Sequence, residues 1–197
     1  MVISAELVRT LREMSGAGIM DCKEALEETS GNIDTAIDYL RKKGASKAVK
    51  KAERTASEGL ICSYIHPGNK IGVLVEVNCE TDFVARTEQF QLLAKDISMQ
   101  IAASNPLYVK REDIPPEVIN KEKEIYINQA KESGKTGNVI EKIADGKMEK
   151  YYSEVCLIEQ SFIRDQDITI RELIARKIAE LGENIKVGRF ARFQLGK

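Results

Sequence analysis

The sequence predicts an α+β fold, an N-terminal three-helix bundle followed by a core in which helices pack on a small antiparallel sheet. Three observations carry this. Apolar residues before Gly44 recur at helical spacing in three short runs. Ile71, Val73, Val75, Val77 and Cys79 then alternate, the period of a strand with one packed face. Beyond them Phe90, Leu93, Ala94, Ile97 and Ile101 return to helical spacing. With 197 residues, 43% of them hydrophobic and 31% charged, the chain can bury a real core beneath a well-solvated surface.

In chain order, Ser4 is placed to cap a first helix in which Leu7, Val8, Leu11 and Met14 share a face. Gly16-Ala17-Gly18 breaks it with a tight reversal. A second helix presents Ile19, Cys22, Ala25 and Leu26 and stops near Gly31. Asn32 caps a third, with Ile33, Ala36, Ile37 and Leu40 inward and Lys42 and Lys43 at its end; Gly44 is the expected stop. The segment Arg41 to Arg54 holds seven basic residues against one acid, Glu53, and no aromatic side chain interrupts it. A solvated helix face or linker accounts for it better than an RNA surface, which would offer bases something to stack on.

From Gly59 to Cys79 the pattern is a hairpin: Leu60 to Ile65, a Pro67-Gly68 turn of type II character, then the strand from Ile71, whose other face is Gly72, Leu74, Glu76 and Asn78. Residues Asn78 to Arg86 join the strongest strand signal to the longest amphipathic helix. Two readings of Thr81-Asp82-Phe83-Val84 stand open on local pattern: a helix cap followed by an apolar plug against the sheet, or a functional loop held between rigid elements.

The helix after Phe90 ends at Asn105-Pro106. Ile114-Pro115-Pro116 opens another, with Val118, Ile119, Ile125, Tyr126 and Ala130 as its apolar residues, ending near Ser133-Gly134. A helical stretch follows from about Asn138 to Met148, with Gly146 as a candidate interruption and Tyr151 and Tyr152 beyond it, packed against these helices. Thr169-Ile170-Arg171-Glu172 has the form of a capping box before a helix closed by Gly182. The final strand sets Ile185, Val187, Ala191, Phe193 and Leu195 on one face with Arg189 intruding, and Arg192 on the opposite face from Arg189.

Composition narrows the function. A net charge of −1 argues against a polyanion binder by bulk electrostatics. Cys22, Cys62, Cys79 and Cys156 are far apart and fall in strand or helix patterns, as small apolar residues in a reduced cytosolic protein. No signal peptide or membrane-length apolar run is present. The one histidine, His66, sits in a turn without neighbouring ligands; no catalytic residue, metal site, cofactor or phosphate-cradling glycine loop is expected.

Three strings carry a resemblance. Leu11-Arg12-Glu13-Met14-Ser15-Gly16-Ala17-Gly18-Ile19-Met20-Asp21-Cys22-Lys23-Glu24-Ala25-Leu26 resembles the amino-terminal domain of bacterial elongation factor Ts, a three-helix fold similar to ubiquitin-associated domains. Val75-Glu76-Val77-Asn78-Cys79-Glu80-Thr81-Asp82-Phe83-Val84-Ala85-Arg86 is similar to that family's second signature, and Ile178 to Ile185 with Phe193 to Gly196 resembles its closing portion. The resemblance spans essentially the whole chain and is that of a short form, with one core sheet unit. It implies a docking domain over residues 1–44, a basic helical linker over 45–58 and an α+β core and dimerisation domain over 59–197.

It further implies a guanine-nucleotide exchange factor for elongation factor Tu in translation elongation, cytoplasmic, homodimeric like other short forms, and free of direct nucleic-acid or membrane partners. An exchange factor performs no covalent chemistry; it binds the nucleotide-free GTPase better than the GDP-bound one, and linkage makes it weaken nucleotide binding by the same factor. In the family, Thr81, Asp82, Phe83 and Val84 correspond to the segment that reaches the partner's magnesium region. Arg12, Gly16, Gly18, Ile19 and Met20 are expected to form a docking end, with Ile19 and Met20 as an apolar anchor on the partner's nucleotide-binding domain. Many relatives carry Met-Met where this chain has Ile19-Met20, and Gly188 replaces one of a pair of arginines. Opening an almost wholly closed partner takes about 5.5 kcal/mol of differential binding. One buried phenylalanine supplies about 2 to 3 kcal/mol, so Phe83 needs a second docking surface. The rival classes are an RNA-binding protein, resting on Arg41 to Arg54, and a ubiquitin-type binding module, resting on the first helices alone.

Overall fold

The computed structural model describes residues 3–197. Helices α1 (Ala5–Ser15), α2 (Ile19–Glu28) and α3 (Ile33–Lys51) come first, followed by strands β1 (Glu58–Ile65) and β2 (Ile71–Cys79). A four-residue helix α4 (Asp82–Ala85) precedes α5 (Glu88–Ser104), and two long helices follow, α6 (Pro116–Glu132) and α7 (Asn138–Val155). The short strands β3 (Ser161–Phe162) and β4 (Asp165–Thr169), helix α8 (Ile170–Leu181) and strand β5 (Lys186–Gln194) complete the chain. The sheet order is β1–β2–β5. The backbone N–H of Leu195, past the end of β5, donates to the carbonyl of Lys70, just before β2, so these strands run antiparallel.

Two compact units emerge. One holds the chain through Cys62 together with Glu76–Ala94 and Glu172–Val187; the other holds Ser63–Val75, Lys95–Arg171 and Gly188–Lys197.

In the first unit the predicted caps form. The Ser4 hydroxyl accepts the N–H of Leu7 at 3.2 Å and the Asn32 side chain that of Thr35 at 3.0 Å, each satisfying a donor the helix start leaves unpaired. Leu11, Cys22, Ala25, Leu26 and Ala36 are buried together, with Leu7, Val8, Ile33, Ile37 and Leu40 packed around them. Met14, expected on the inward face of α1, is exposed instead; Ile19, grouped by helical spacing with Cys22, Ala25 and Leu26 but also expected at the docking end, is exposed too. Helix α3 also runs through Gly44 to Lys51, past the expected stop, and its 19 residues exceed the 17 of α5. Gly44 is buried, and a Cβ there would lie 3.6 Å from that of Ala179. Packing of that kind outweighs the roughly 1 kcal/mol by which glycine disfavours a helix interior.

The basic run has internal employment. Lys43 reaches Asp21 at 3.1 Å and Glu24 at 2.6 Å, and Lys47 reaches Asp21 at 2.8 Å. Burial opposes ionisation of Asp21, yet the hydrogen bonds from Lys47 and Lys43 prevail and hold its carboxyl below the usual value.

In the second unit the hairpin turn closes through His66 N–H to Ile71 carbonyl, with Gly68 at φ 92°, as a type II turn requires. Helix α7 runs uninterrupted through Gly146 and contains Tyr151 and Tyr152, where the sequence pattern predicts an end near Met148. Nothing approaches the Gly146 Cβ position within 4 Å; α7 buries Ala144 and Met148 and α6 buries Ala130, and between the two helices Lys123 meets Asp145 at 3.1 Å and Lys147 meets Gln129 at 2.6 Å. Arg111 stacks 4.3 Å from the Tyr152 ring and pairs with Glu159 and Glu149, which stabilise its protonated form further. The β3–β4 hairpin, which sequence alone does not reveal, sets Ser161 opposite Thr169 and Phe162 opposite Asp165. Buried Gln100 donates to Gln160 and the Ser161 carbonyl, each at 3.1 Å, and accepts the Ile163 N–H at 2.9 Å.

Candidate functional site

Strand β2 buries Val73, Val75, Val77 and Cys79 on one face, as the alternation predicts, and delivers the chain to Thr81. The Thr81 side chain caps α4, accepting the Val84 N–H at 3.4 Å. Ala85 is buried, Val84 is half-buried and Phe83 is 79% exposed. Of the two readings left open by the sequence, the cap is therefore present, while the aromatic ring plugs nothing. Asp82 pairs with Arg86 at 2.8 Å in the open, where such a pair contributes little. The Cys79 thiol donates to the Thr81 carbonyl at 3.1 Å. Burial, and after it the nearby Glu183 carboxylate, pushes the Cys79 thiol pKa up, which keeps it protonated and unreactive.

Residues far along the chain hold this turn. One carboxylate oxygen of Glu183 accepts the backbone N–H of Glu80 at 3.1 Å and of Thr81 at 3.0 Å; the other accepts the Thr81 hydroxyl at 2.6 Å. In the opposite direction the Glu80 carboxylate accepts the backbone N–H of Asn184 at 2.6 Å. Asn184, only 1% exposed, donates its side-chain amide to the carbonyls of Ala52 at 3.3 Å and Arg54 at 2.7 Å, just past the end of α3. Lys51 donates to the Gly182 carbonyl, and Arg54 lies 3.6 Å from Glu80. Glu183 and Asn184 fall within the closing string quoted above, yet no local spacing ties them to Thr81.

The other candidate residues stand at the junction of α1 and α2. Gly16 closes α1 at φ 68°, a conformation open to glycine at little cost, and its N–H donates to the Arg12 carbonyl at 2.8 Å. Gly18 needs no such freedom: its φ is −62°, and it caps α2 through its backbone alone. A Cβ there would meet only the Asp21 carboxylate, at 3.6 Å. Arg12 is exposed, Ile19 is 56% exposed and Met20 74% exposed, so the first turn of α2 points an apolar pair at solvent.

Among the described residues no group of three or more His, Cys, Asp or Glu side chains is placed to hold a metal ion, and no helix is long and apolar enough to cross a membrane. Cys22, Cys79 and Cys156 are buried free thiols, and burial pushes Cys156 up to about 11.

A family model described as Elongation factor TS matches residues 7–197. Curated relatives named Elongation factor Ts align with the whole chain: one from Syntrophomonas wolfei is 60% identical over 196 residues, covering 92% of that protein. One from Caldanaerobacter subterraneus is 58% identical over 196 residues and 98% covered, and one from Carboxydothermus hydrogenoformans is 56% identical over 196 residues and 90% covered. The exposed apolar pair after the glycine turn and the exposed ring on its clamped helix thus lie within a match that runs almost end to end, and the chain belongs to the elongation factor Ts family of bacterial translation elongation factors.

Proposed function

We propose that this chain promotes GDP release from elongation factor Tu, docking through Ile19 and Met20 and inserting Phe83 beside the partner's nucleotide site. The observation that carries this is the exposure of Phe83, 79%, on a helix whose backbone is held from behind by Glu183. An aromatic ring left in water on a braced turn is costly unless it meets a partner. Asp82 accompanies it; by exchanging Arg86 for groups of the partner it disturbs the charged surroundings of the magnesium ion, whose loss weakens phosphate binding. The metal and the nucleotide belong to the partner, and the factor itself acts by differential binding.

Ile19 and Met20 supply the second docking surface, an apolar anchor that holds the factor on its partner while Asp82 and Phe83 act beside the nucleotide site. Arg12, Gly16 and Gly18 shape this docking end. Ile65, Leu74, Phe193 and Leu195, exposed on the sheet, form the face through which two copies pair as a homodimer. An RNA-binding role draws less support, because Lys43, Lys47, Lys51 and Arg54 are engaged within the protein. A ubiquitin-type module leaves the braced Phe83 turn without a purpose. Translation sets the work in the bacterial cytoplasm.

The test is direct. Elongation factor Tu loaded with fluorescent GDP is mixed with the chain and with excess unlabelled nucleotide. Accelerated loss of the label is expected, and an unaltered rate rules the proposal out.

A further inference from the structure

Phe83 is held from one side only. Helix α4 has four residues, too few to persist on its own propensity, and the ring has no packing of its own to fix its direction. What orients the ring is the backbone from Glu80 to Ala85, and three donors of that backbone and its capping threonine converge on Glu183. A carboxylate suits the task, since it accepts through both oxygens and carries no competing donor.

Resting on the exchange function proposed above, we propose that Glu183 is a positioning residue for nucleotide exchange, holding the Thr81 turn so that Asp82 and Phe83 are aimed before the partner arrives. Its neighbour Asn184 extends the device. Because Asn184 binds the carbonyls of Ala52 and Arg54 and donates its N–H to Glu80, the Gly182-Glu183-Asn184 turn joins the tail of α3 to the turn that bears Phe83. Helix α3 in turn grips α2 through Lys43 and Lys47. A continuous set of hydrogen bonds and ion pairs therefore connects the helix carrying Ile19 and Met20 with the helix carrying Phe83. Pre-ordering of this kind removes a loop-ordering penalty from the step in which the ring enters its target.

A positioning role separates from a purely structural one in the kinetics. Docking through Ile19 and Met20 does not need Glu183, whereas aiming Phe83 does. In stopped-flow release of fluorescent GDP from elongation factor Tu, Glu183→Ala is expected to lower the saturated rate by about ten-fold or more, the scale of losing charge-assisted hydrogen bonds. The half-saturating concentration is expected to move by less than about three-fold, since the apolar anchor is intact. Glu183→Gln keeps one acceptor oxygen for the two N–H groups and should recover the rate to within about three-fold of the parent. In the free protein, hydrogen exchange at the amides of residues 80–84 should quicken in Glu183→Ala and stay slow in Glu183→Gln.

A saturated rate retained by Glu183→Ala, a parallel rise in half-saturation, equal damage from the alanine and glutamine variants, or unaltered exchange at residues 80–84 each overturns the positioning role. If Glu183→Ala loses its cooperative melt, Glu183→Asp replaces it; one methylene shorter, it keeps the charge and the Thr81 cap but draws its oxygens back from the three donors, and should slow saturated release about three-fold. A parent chain that leaves nucleotide release unaltered overturns the exchange function and this role together. A parent that accelerates release beside an unimpaired Glu183→Ala overturns only the role of Glu183.

Discussion

Ile19 and Met20 stand on the first turn of a ten-residue helix, whereas Phe83 stands on a helix of four. The first pair needs little outside help. Helix α2 buries Cys22, Ala25 and Leu26 in a shared cluster and is gripped at Asp21 by two lysines, so its exposed turn is rigid by virtue of its own element. The second site owes its shape to residues some hundred positions away: Glu80 is separated from Glu183 by 103 positions and from Asn184 by 104. An anchor can be built on local structure, because burial of apolar area is non-directional. A wedge must arrive at one angle, and that requires directional bonds from elsewhere in the chain.

Substitutions sharpen this contrast. Phe83→Ala should produce the largest change, slowing saturated release by about 30-fold, the equivalent of about 2 kcal/mol of lost burial, with the folded state intact. Unchanged release would remove the ring from the mechanism. Met20→Ala should instead raise the half-saturating concentration by about ten-fold while the saturated rate stays within about two-fold, as uniform binding predicts. A fall confined to the saturated rate would erase the distinction between anchor and wedge.

The grip on α2 is open to titration. Because the carboxyl of Asp21 has a lowered pKa in the folded chain, its contribution is complete above the ordinary value of 3.8 and disappears as pH falls through the lowered one. Thermal melts should lose about 1 kcal/mol of stability over that acid window, and Asp21→Asn should remove this part of the pH dependence. A melt in which Asp21→Asn and the parent respond alike to acid would sever the grip from Asp21. Smallest of all, Gly44→Ala should raise stability by about 0.5 to 1 kcal/mol in chemical denaturation and leave release kinetics as they were, because its Cβ meets Ala179 at an ordinary 3.6 Å. A destabilised Gly44→Ala would mean that the glycine has a packing role of its own.

Features governed by near neighbours were legible in the sequence. Ser4, Asn32 and Thr81 each cap a donor three residues on; alternation over Ile71 to Cys79 marks the buried face, and Pro106 stops α5. The exposed candidates were legible too, though as family strings rather than as physics. What escaped was set by distant contacts: α3 continuing through Gly44, α7 through Gly146, the internal engagement of Lys43, Lys47 and Lys51, and the β3–β4 hairpin, whose Asp165-Gln166-Asp167 start has no apolar alternation. Glu183 escaped for the same reason. A glutamate after a helix-ending glycine has the spelling of a surface turn, and its three donors lie at the far end of another strand.

In the proposed complex the two apolar tips also set how temperature acts. Docking as proposed would cover Ile19, Met20 and Phe83, withdraw hydrocarbon and aromatic surface from water and give a negative heat-capacity change. Its enthalpy should therefore grow more favourable on warming, and titration calorimetry at several temperatures should return a negative slope. With Ile19, Met20 and Phe83 all replaced by alanine, that slope should flatten, linking the thermal response of exchange to three side chains at the ends of two short helices.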